Sequence, residues 1–169
     1  MYWADEIVNG ETDGRRPAAR ERLRVLVADD SRLVAEALMF SLDTDPKLEA
    51  IGYALDGWEA LEYMATLEPD VVVIGPRLTG LGPFEFSRFA REVSPNVLLI
   101  MLCERLVPAS VKSAYAIGVA DCLPACRSID ELLRAISAAR VRQQTFERGR
   151  RQAMRRSSPY AVQKIDARS

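Results

Sequence analysis

The stretch PDVVVIGPRLTG, residues 69–80, decides how this chain folds. It contains four consecutive β-branched residues, Val71–Ile74, and such residues favour a strand. Because no polar residue interrupts the run, the strand is predicted to be buried on both faces, as strands are in a parallel sheet. The residues from Gly75 to Gly80 form the loop that follows this strand.

On either side of this segment, strand patterns and helix patterns alternate along the chain. The predicted strands are Leu23–Ala28, Leu48–Ala54, Val71–Ile74, Val97–Leu102 and a short segment at Cys122 and Leu123. The predicted helices are Arg32–Leu42 with Ser31 as a good N-cap, Gly57–Leu67, Pro83–Val93, Pro108–Ile117 and a last helix capped by Ser128. Five such units with short connections predict an α/β fold, a flavodoxin-like doubly wound parallel sheet of order 2-1-3-4-5 with helices on both faces. A site in such a fold lies at the carboxyl ends of strands 1 and 3.

Charge divides the chain into regions. Residues 1–140 contain 15 Lys and Arg against 22 Asp and Glu, a net charge of −7, whereas residues 141–169 contain 8 against 2, a net charge of +6. Residues 1–22 show no strand or helix period and are predicted to form a flexible N-terminal arm. The domain is predicted over 23–140, and the basic C-terminal tail 141–169 is expected to be helical to about Arg156.

Composition excludes several classes of function. With 49% hydrophobic residues the chain can form a full core, but no apolar run approaches the roughly 18 residues that a membrane span needs. It contains no histidine, which rules out histidine catalysis and histidine metal ligands. Three cysteines are too few for a disulfide framework, and with no signal pattern at the N-terminus a reducing cytoplasm is expected.

Four motifs resemble the receiver domains of response regulators over about residues 23–140. They are VLVADDS at residues 25–31, DGWEAL at 56–61, PDVVVIGPRLTGLGPFEF at 69–86 and GVADCLPACRSIDELLRAI at 118–136. The resemblance implies the fold described above and a place in two-component phosphorelay signalling. In that family the third strand ends in an aspartate whose carboxylate accepts a phosphoryl group. Gly75 stands at that position, and glycine has no side chain to act as a nucleophile.

The resemblance also assigns an acidic pair, Asp29 and Asp30, which follows the first strand. In the family this pair holds a divalent cation together with the phosphoacceptor. Two carboxylates without the third predict at most weak Mg²⁺ binding. The alternative is that they are a remnant of the fold, with Asp30 capping the next helix.

Three further positions lack the chemistry that the family places there. Cys103 replaces a Thr or Ser that hydrogen-bonds the phosphoryl group, and a thiol is a poor donor. Ala125 replaces a lysine, and Cys122 replaces the aromatic switch residue of strand five. The combined loss of nucleophile, hydroxyl and lysine predicts a pseudo-receiver that does not use phosphorylation. No complete catalytic set is visible, so we do not expect an enzyme, and no cofactor is predicted.

The cysteines have three interpretations: small buried residues, a redox-sensitive pair, or an incomplete metal site formed with Cys126. The tail carries an array of basic residues: Arg142, Arg148, Arg150, Arg151, Arg155 and Arg156. The leading hypothesis is a protein-interaction module in bacterial signalling or transcription regulation, which docks through its last helices and fifth strand or its tail and forms a homodimer through that face. The alternatives are a regulator that contacts nucleic acid with the tail, and a cysteine-based redox sensor.

Overall fold

A computed structural model describes residues 22–125 and 128–156. Within these residues the strands are β1 (Leu23–Ala28), β2 (Leu48–Ala54), β3 (Val71–Ile74), β4 (Leu98–Cys103) and β5 (Asp121–Pro124). The helices are α1 (Arg32–Leu42), α2 (Gly57–Leu67), α3 (Pro83–Val93), α4 (Pro108–Ala116) and α5 (Ile129–Arg156). The predicted elements are confirmed, with small differences at the ends of β4, α4 and β5.

All neighbouring strands pair in parallel, in the order β2-β1-β3-β4-β5, so the predicted sheet topology is confirmed. The central pair, β1 and β3, runs in register from Val25 opposite Val71 to Ala28 opposite Ile74. One residue further on, the Gly75 N–H donates to the Ala28 carbonyl at 2.7 Å. This pairing brings the residues that follow the two strands side by side.

The sheet is buried on both faces, as the uninterrupted apolar strands predicted. On one face α1 and α5 contribute buried residues such as Leu42 and Ile136 to a core with Val25, Val27 and Val73. On the other face the core contains side chains of α2, α3 and α4: Met64, Phe86 and Ala114. Every residue of β3 is fully buried, so β3 lies at the centre of the domain.

Helix ends shape the loops at both edges of the sheet. The Ser31 hydroxyl caps α1 by accepting the Val34 N–H at 3.4 Å. Asp56 caps α2, and its carboxylate accepts the N–H groups of Trp58 and Glu59 at 2.8 and 2.9 Å. Gly118, which follows α4, has a φ of 94°, a left-handed conformation that glycine adopts without steric cost.

The helix α5 is 28 residues long and leaves the domain at the amino end of the sheet. The Gln143 amide donates to the carbonyl of Asn96, just before β4. The Arg142 guanidinium donates to the carbonyl of Ala120, just before β5, at 3.2 Å. From residue 148 to residue 154 every side chain is exposed. The outer part of α5, which is the segment after Gln143, therefore lies at the end of the domain opposite to Gly75.

The predicted extension of the last helix to about Arg156 is confirmed. The N-terminal arm, apart from Arg22, lies outside the described residues, and so does the tail after Arg156. The division into arm, domain and tail thus remains a prediction. Within the described parts of the chain, no helix combines the length and the apolar character that crossing a membrane requires.

Candidate functional site

Asp29 and Gly75 meet at the carboxyl edge of the sheet, where the fold places a site. Asp29 directly follows β1, and its N–H donates to the Ala54 carbonyl of β2 at 3.0 Å. Gly75 directly follows β3 and is buried. The pairing of Ala28 with Ile74 sets the two residues next to each other.

The Asp29 carboxyl group occupies the space that a side chain on Gly75 would need. A Cβ atom added to Gly75 would lie 2.1 Å from Oδ2, 2.7 Å from Cγ and 3.1 Å from Cβ of Asp29. The first two distances are shorter than any that packed carbon atoms tolerate. The other carboxyl oxygen, Oδ1, accepts the Ser31 N–H at 2.8 Å, which holds the carboxyl group in this orientation. Glycine at position 75 is thus a steric requirement of the way Asp29 packs.

The electrostatic surroundings disfavour a charged Asp29. The residue is only 4% exposed, and this burial raises the pKa of its carboxyl group above the ordinary 3.8. The nearby Asp30 raises the pKa further, whereas the Ser31 N–H and the distant charge of Arg77 lower it in part. Arg77 is itself exposed and pairs with Glu104 at 3.2 Å.

The divalent cation of the family does not fit the residues present. A hard cation needs several carboxylate or carbonyl oxygens that converge on one point. Here Asp29 is turned toward Gly75, while Asp30 is exposed. Among the described residues, no group of three His, Cys, Asp or Glu side chains converges as a metal site would require. The idea that Asp30 caps the next helix is wrong, since Ser31 is the N-cap of α1.

The other positions predicted to be degenerate lie at the ends of β4 and β5. Cys103 is half-buried and Cys122 is buried, and the two residues lie on neighbouring strands and pack against the same core. Burial raises the pKa of Cys103, and burial together with the neighbouring Cys103 and Asp121 raises the pKa of Cys122 to about 12. Ala125 is exposed, and its N–H donates to the Cys103 carbonyl at 2.7 Å. None of these side chains offers a hydroxyl or an ammonium group, and Cys126 lies outside the described residues.

The basic residues predicted for interaction lie apart from this edge. Arg142, Arg148, Arg150 and Arg151 are exposed along α5, and Arg155 and Arg156 form its last turn. The Arg150 guanidinium lies 6.0 Å from the ring centre of Phe146, whose side chain is 67% exposed. The structure therefore separates the predicted residues into a degenerate edge and a basic helix at the other end.

Sequence reasoning missed the contact between Asp29 and Gly75 and the cleft beside the two thiols. This cleft, of about 420 Å³, lies between β4, β5 and α4, with Met101, Cys103 and Cys122 in its wall. The sequence did contain a signal for the contact. Asp29 follows β1 and Gly75 follows β3, and the predicted strand order places these two strands side by side. The cleft left no signal, since its lining comes from segments far apart in the chain.

The family described as response regulator receiver domain matches residues 25–137. Similar proteins include the protein-glutamate methylesterase/protein-glutamine glutaminase 2 of Cereibacter sphaeroides, 42% identical over 78 residues that cover 46% of this chain and 21% of the relative. The corresponding protein of Pyrococcus abyssi is 33% identical over 111 residues, covering 64% of this chain and 30% of the relative. The chain thus spans less than a third of the length of these two curated relatives.

Solved structures give the same result. The response regulator domain of Thermotoga maritima CheB matches with a TM-score of 0.65 and 27% identity, covering 70% of this chain and 96% of that one. The signal receiver domain of the putative response regulator NarL from Mycobacterium tuberculosis matches with a TM-score of 0.66 and 26% identity, covering 72% and 98%. The chain belongs to the response regulator receiver domain family, whose members act in two-component signalling.

The contact at Gly75 predicts a strong dependence on Asp29. We expect Gly75→Ala to lower the free energy of unfolding by about 1–3 kcal/mol, because the new methyl group overlaps the Asp29 carboxyl group. In an Asp29→Ala background the same change should cost clearly less, and urea denaturation of the double-mutant cycle measures the difference. Gly149→Ala is the matched control, since no atom lies within 4 Å of its added Cβ, and it should stabilise α5. Equal costs of Gly75→Ala in both backgrounds would contradict the contact.

The raised pKa of Asp29 predicts a pH-dependent gain from Asp29→Asn. Below pH 3.8 the carboxyl group is protonated in both the folded and the unfolded state, so it costs no stability there. As the pH rises, the unfolded state loses its proton first, because the pKa is raised only in the folded state. The free energy of unfolding therefore decreases until the pH has passed the raised pKa of the folded state. The Asn variant should therefore have a higher Tm than the wild type at pH 7, and the difference should shrink as the pH falls toward 4. Asp30→Asn, at an exposed position, is the control and should change Tm less. A lower Tm of Asp29→Asn at pH 7 would show that the charged carboxylate is stabilising.

Proposed function

We propose that this protein is a phosphorylation-independent receiver that acts as a protein-interaction module in bacterial signalling or transcription regulation. The observation that carries the proposal is the Asp29 carboxyl group, which occupies the space of the acceptor side chain at Gly75. A receiver whose acceptor space is filled by its own carboxyl group has neither a nucleophile nor room for a phosphoryl group there.

The remaining positions of the switch support the same interpretation. A phosphoryl group on a receiver needs a hydroxyl donor and a positive charge nearby to hold its oxygens. Cys103 and Ala125 supply neither. Arg77, whose positive charge influences Asp29, is exposed and paired with Glu104. Signal transfer would then depend on when and where the protein binds its partner, rather than on a covalent modification.

Two exposed surfaces suit an interaction role. The first surrounds α4 and β5, where three large side chains, Leu106, Val107 and Tyr115, are between 43% and 48% exposed. The second is the outer part of α5, with its exposed arginines and Phe146. We propose that the protein binds its partner through one of these surfaces and forms a homodimer through its last helices, in the cytoplasm.

Enzymatic activity is not part of the proposal. The curated relatives are named for methylesterase and glutaminase activities, but this chain matches only a fifth to a third of their length. The matched family is the receiver domain, which is not itself catalytic. A redox role for the cysteines has less support, because burial raises the pKa of both thiols and redox-sensing thiols have a lowered pKa.

The proposal predicts that phosphoryl donors leave the protein unmodified. After incubation with acetyl phosphate and Mg²⁺, intact-mass spectrometry should show only the unmodified chain, and beryllofluoride should not shift its Tm. A receiver domain that carries an aspartate at the corresponding position, treated in the same tube, confirms that the reagent is active. A stable phosphoryl adduct that maps to Asp29 or Asp30 would contradict phosphorylation independence.

The second candidate function is nucleic-acid contact through α5. It is favoured by the exposed Arg142, Arg148, Arg150 and Arg151, among which Glu147 is the only acidic residue between positions 141 and 154. Contacts to phosphates release counterions, so the affinity for a random duplex should fall steeply with salt, and the slope should decrease by about one for each phosphate contact removed. The measurement compares the wild type with the Arg148→Gln/Arg150→Gln/Arg151→Gln variant. If the wild type does not bind the duplex at low salt, or if the two proteins bind it equally, the protein-interaction role remains the only proposed function.

A further inference from the structure

Three sulfur-containing side chains share one face of the sheet at the carboxyl ends of β4 and β5. Met101 and Cys122 are direct partners across the two strands. Cys103 lies two residues beyond Met101, so its side chain points to the same face. All three pack in the same core cluster and line the same cleft. Two thiols and a thioether are therefore gathered at one place in the fold.

This sulfur cluster is accessible from solvent through the cleft described above. Pro76, Pro83 and Phe84 form one wall of the cleft, and Ser110 and Val111 of α4 form the opposite wall. The cleft has a volume of about 420 Å³, ample for a bare metal ion to enter. The aromatic residue that the family resemblance places at position 122 is replaced by the smaller cysteine, which is consistent with open space beneath α4.

The donor set selects the class of ligand. Thiolates and thioethers favour soft metal ions such as Cu(I), whereas Mg²⁺ and Ca²⁺ require oxygen ligands. A structural zinc site needs four ligands, and three sulfurs do not complete it. Two thiolates and one thioether suit Cu(I), which accepts two or three sulfur ligands.

We propose that Cys103, Cys122 and Met101 form a binding site for a soft monovalent metal ion of the Cu(I) class. On binding, each thiol gives up its proton to solvent, two metal–thiolate bonds form, and the thioether adds a third, neutral bond. No electron is transferred, and the metal remains monovalent. The resulting site carries a charge of −1, and the nearest positive side chain in the cleft wall is that of Arg105.

Two released protons make the affinity steeply pH-dependent. A cysteine thiol has an ordinary pKa of about 8.5, so both thiols carry a proton near neutral pH before the metal binds. The dissociation constant should then fall by about 100-fold for each unit of pH increase around neutrality, one factor of ten for each proton. This slope separates a dithiolate site from a site in which only one cysteine is a ligand, which would give about 10-fold per unit.

The experiment titrates the reduced full-length chain with Cu(I) under anaerobic conditions, in competition with the coloured chelator bicinchoninate. The wild type should bind one equivalent. Cys103→Ser and Cys122→Ser should each weaken binding by more than about 100-fold, since even indirect support of a metal site accounts for 10–100-fold. Met101→Leu, which keeps the volume of the side chain, should weaken it by about 10-fold.

Two matched controls keep the proposal falsifiable. Met64→Leu changes a buried methionine of the same core outside the cleft, and Cys126→Ser removes the remaining cysteine; both should bind as the wild type does. Thermal unfolding of each variant shows whether it is folded before its affinity is compared. Equal affinity of the Cys103→Ser/Cys122→Ser double variant and the wild type would overturn the site. A loss confined to Cys126→Ser, or oxygen and nitrogen neighbours of the metal in X-ray absorption spectra, would overturn it as well.

Discussion

The parallel pairing of β1 with β3 is the interaction on which the rest of the structure depends. It places two fully buried strands at the centre of the sheet, and each apolar face of that sheet then requires a layer of helices. The same register sets Asp29 beside Gly75, because each follows a strand residue that pairs with the other strand. The register of β1 and β3 therefore determines both the packing of the core and the contact between Asp29 and Gly75. A substitution at Gly75 is expected to change the stability of the domain as well as the chemistry of the site.

The contact between Asp29 and Gly75 changes how the proposed loss of the phosphoacceptor is understood. A simple deletion of a side chain would leave an open space at the edge of the sheet. Here the neighbouring carboxyl group fills that space and is held there by the Ser31 N–H. Burial raises the pKa of this carboxyl group and so disfavours the ionised form that cation binding needs. Restoring an aspartate at position 75 would thus require Asp29 to change its conformation first.

The degenerate edge and the basic helix lie at opposite ends of the domain. Contacts from α5 to the carbonyls before β4 and β5 end at Gln143, and the exposed part continues for several turns. An isolated helical segment of this length is marginally stable in water, and Gly149 weakens it further by about 1 kcal/mol relative to alanine. A bound partner would therefore stabilise the outer part of α5, which agrees with the interaction role proposed for it. The cleft beside α4 lies at the other end, so a ligand there and a partner on the outer part of α5 occupy separate surfaces.

The sequence alone determined the elements, their order and the chemistry that is missing. Uninterrupted β-branched and apolar strands such as Val71–Ile74, and helix starts at Ser31 and Pro83, are local patterns, so they could be read without the tertiary structure. The interpretation that a nucleophile is missing at Gly75 and a lysine at Ala125 rests on residue identity at the positions that the family resemblance matches. Boundaries such as that of β4 shifted by one residue because strand ends depend on pairing with the neighbouring strand.

Only the tertiary structure decided how the remaining side chains are used. Asp29 and Gly75 are far apart in the chain, and their contact depends on strand register and on the direction of one carboxyl group. The same holds for Met101, Cys103 and Cys122, whose sulfurs share a face only because β4 pairs with β5 in one particular register. Such contacts join residues that are distant in sequence, and local residue patterns carry no information about the distances between them.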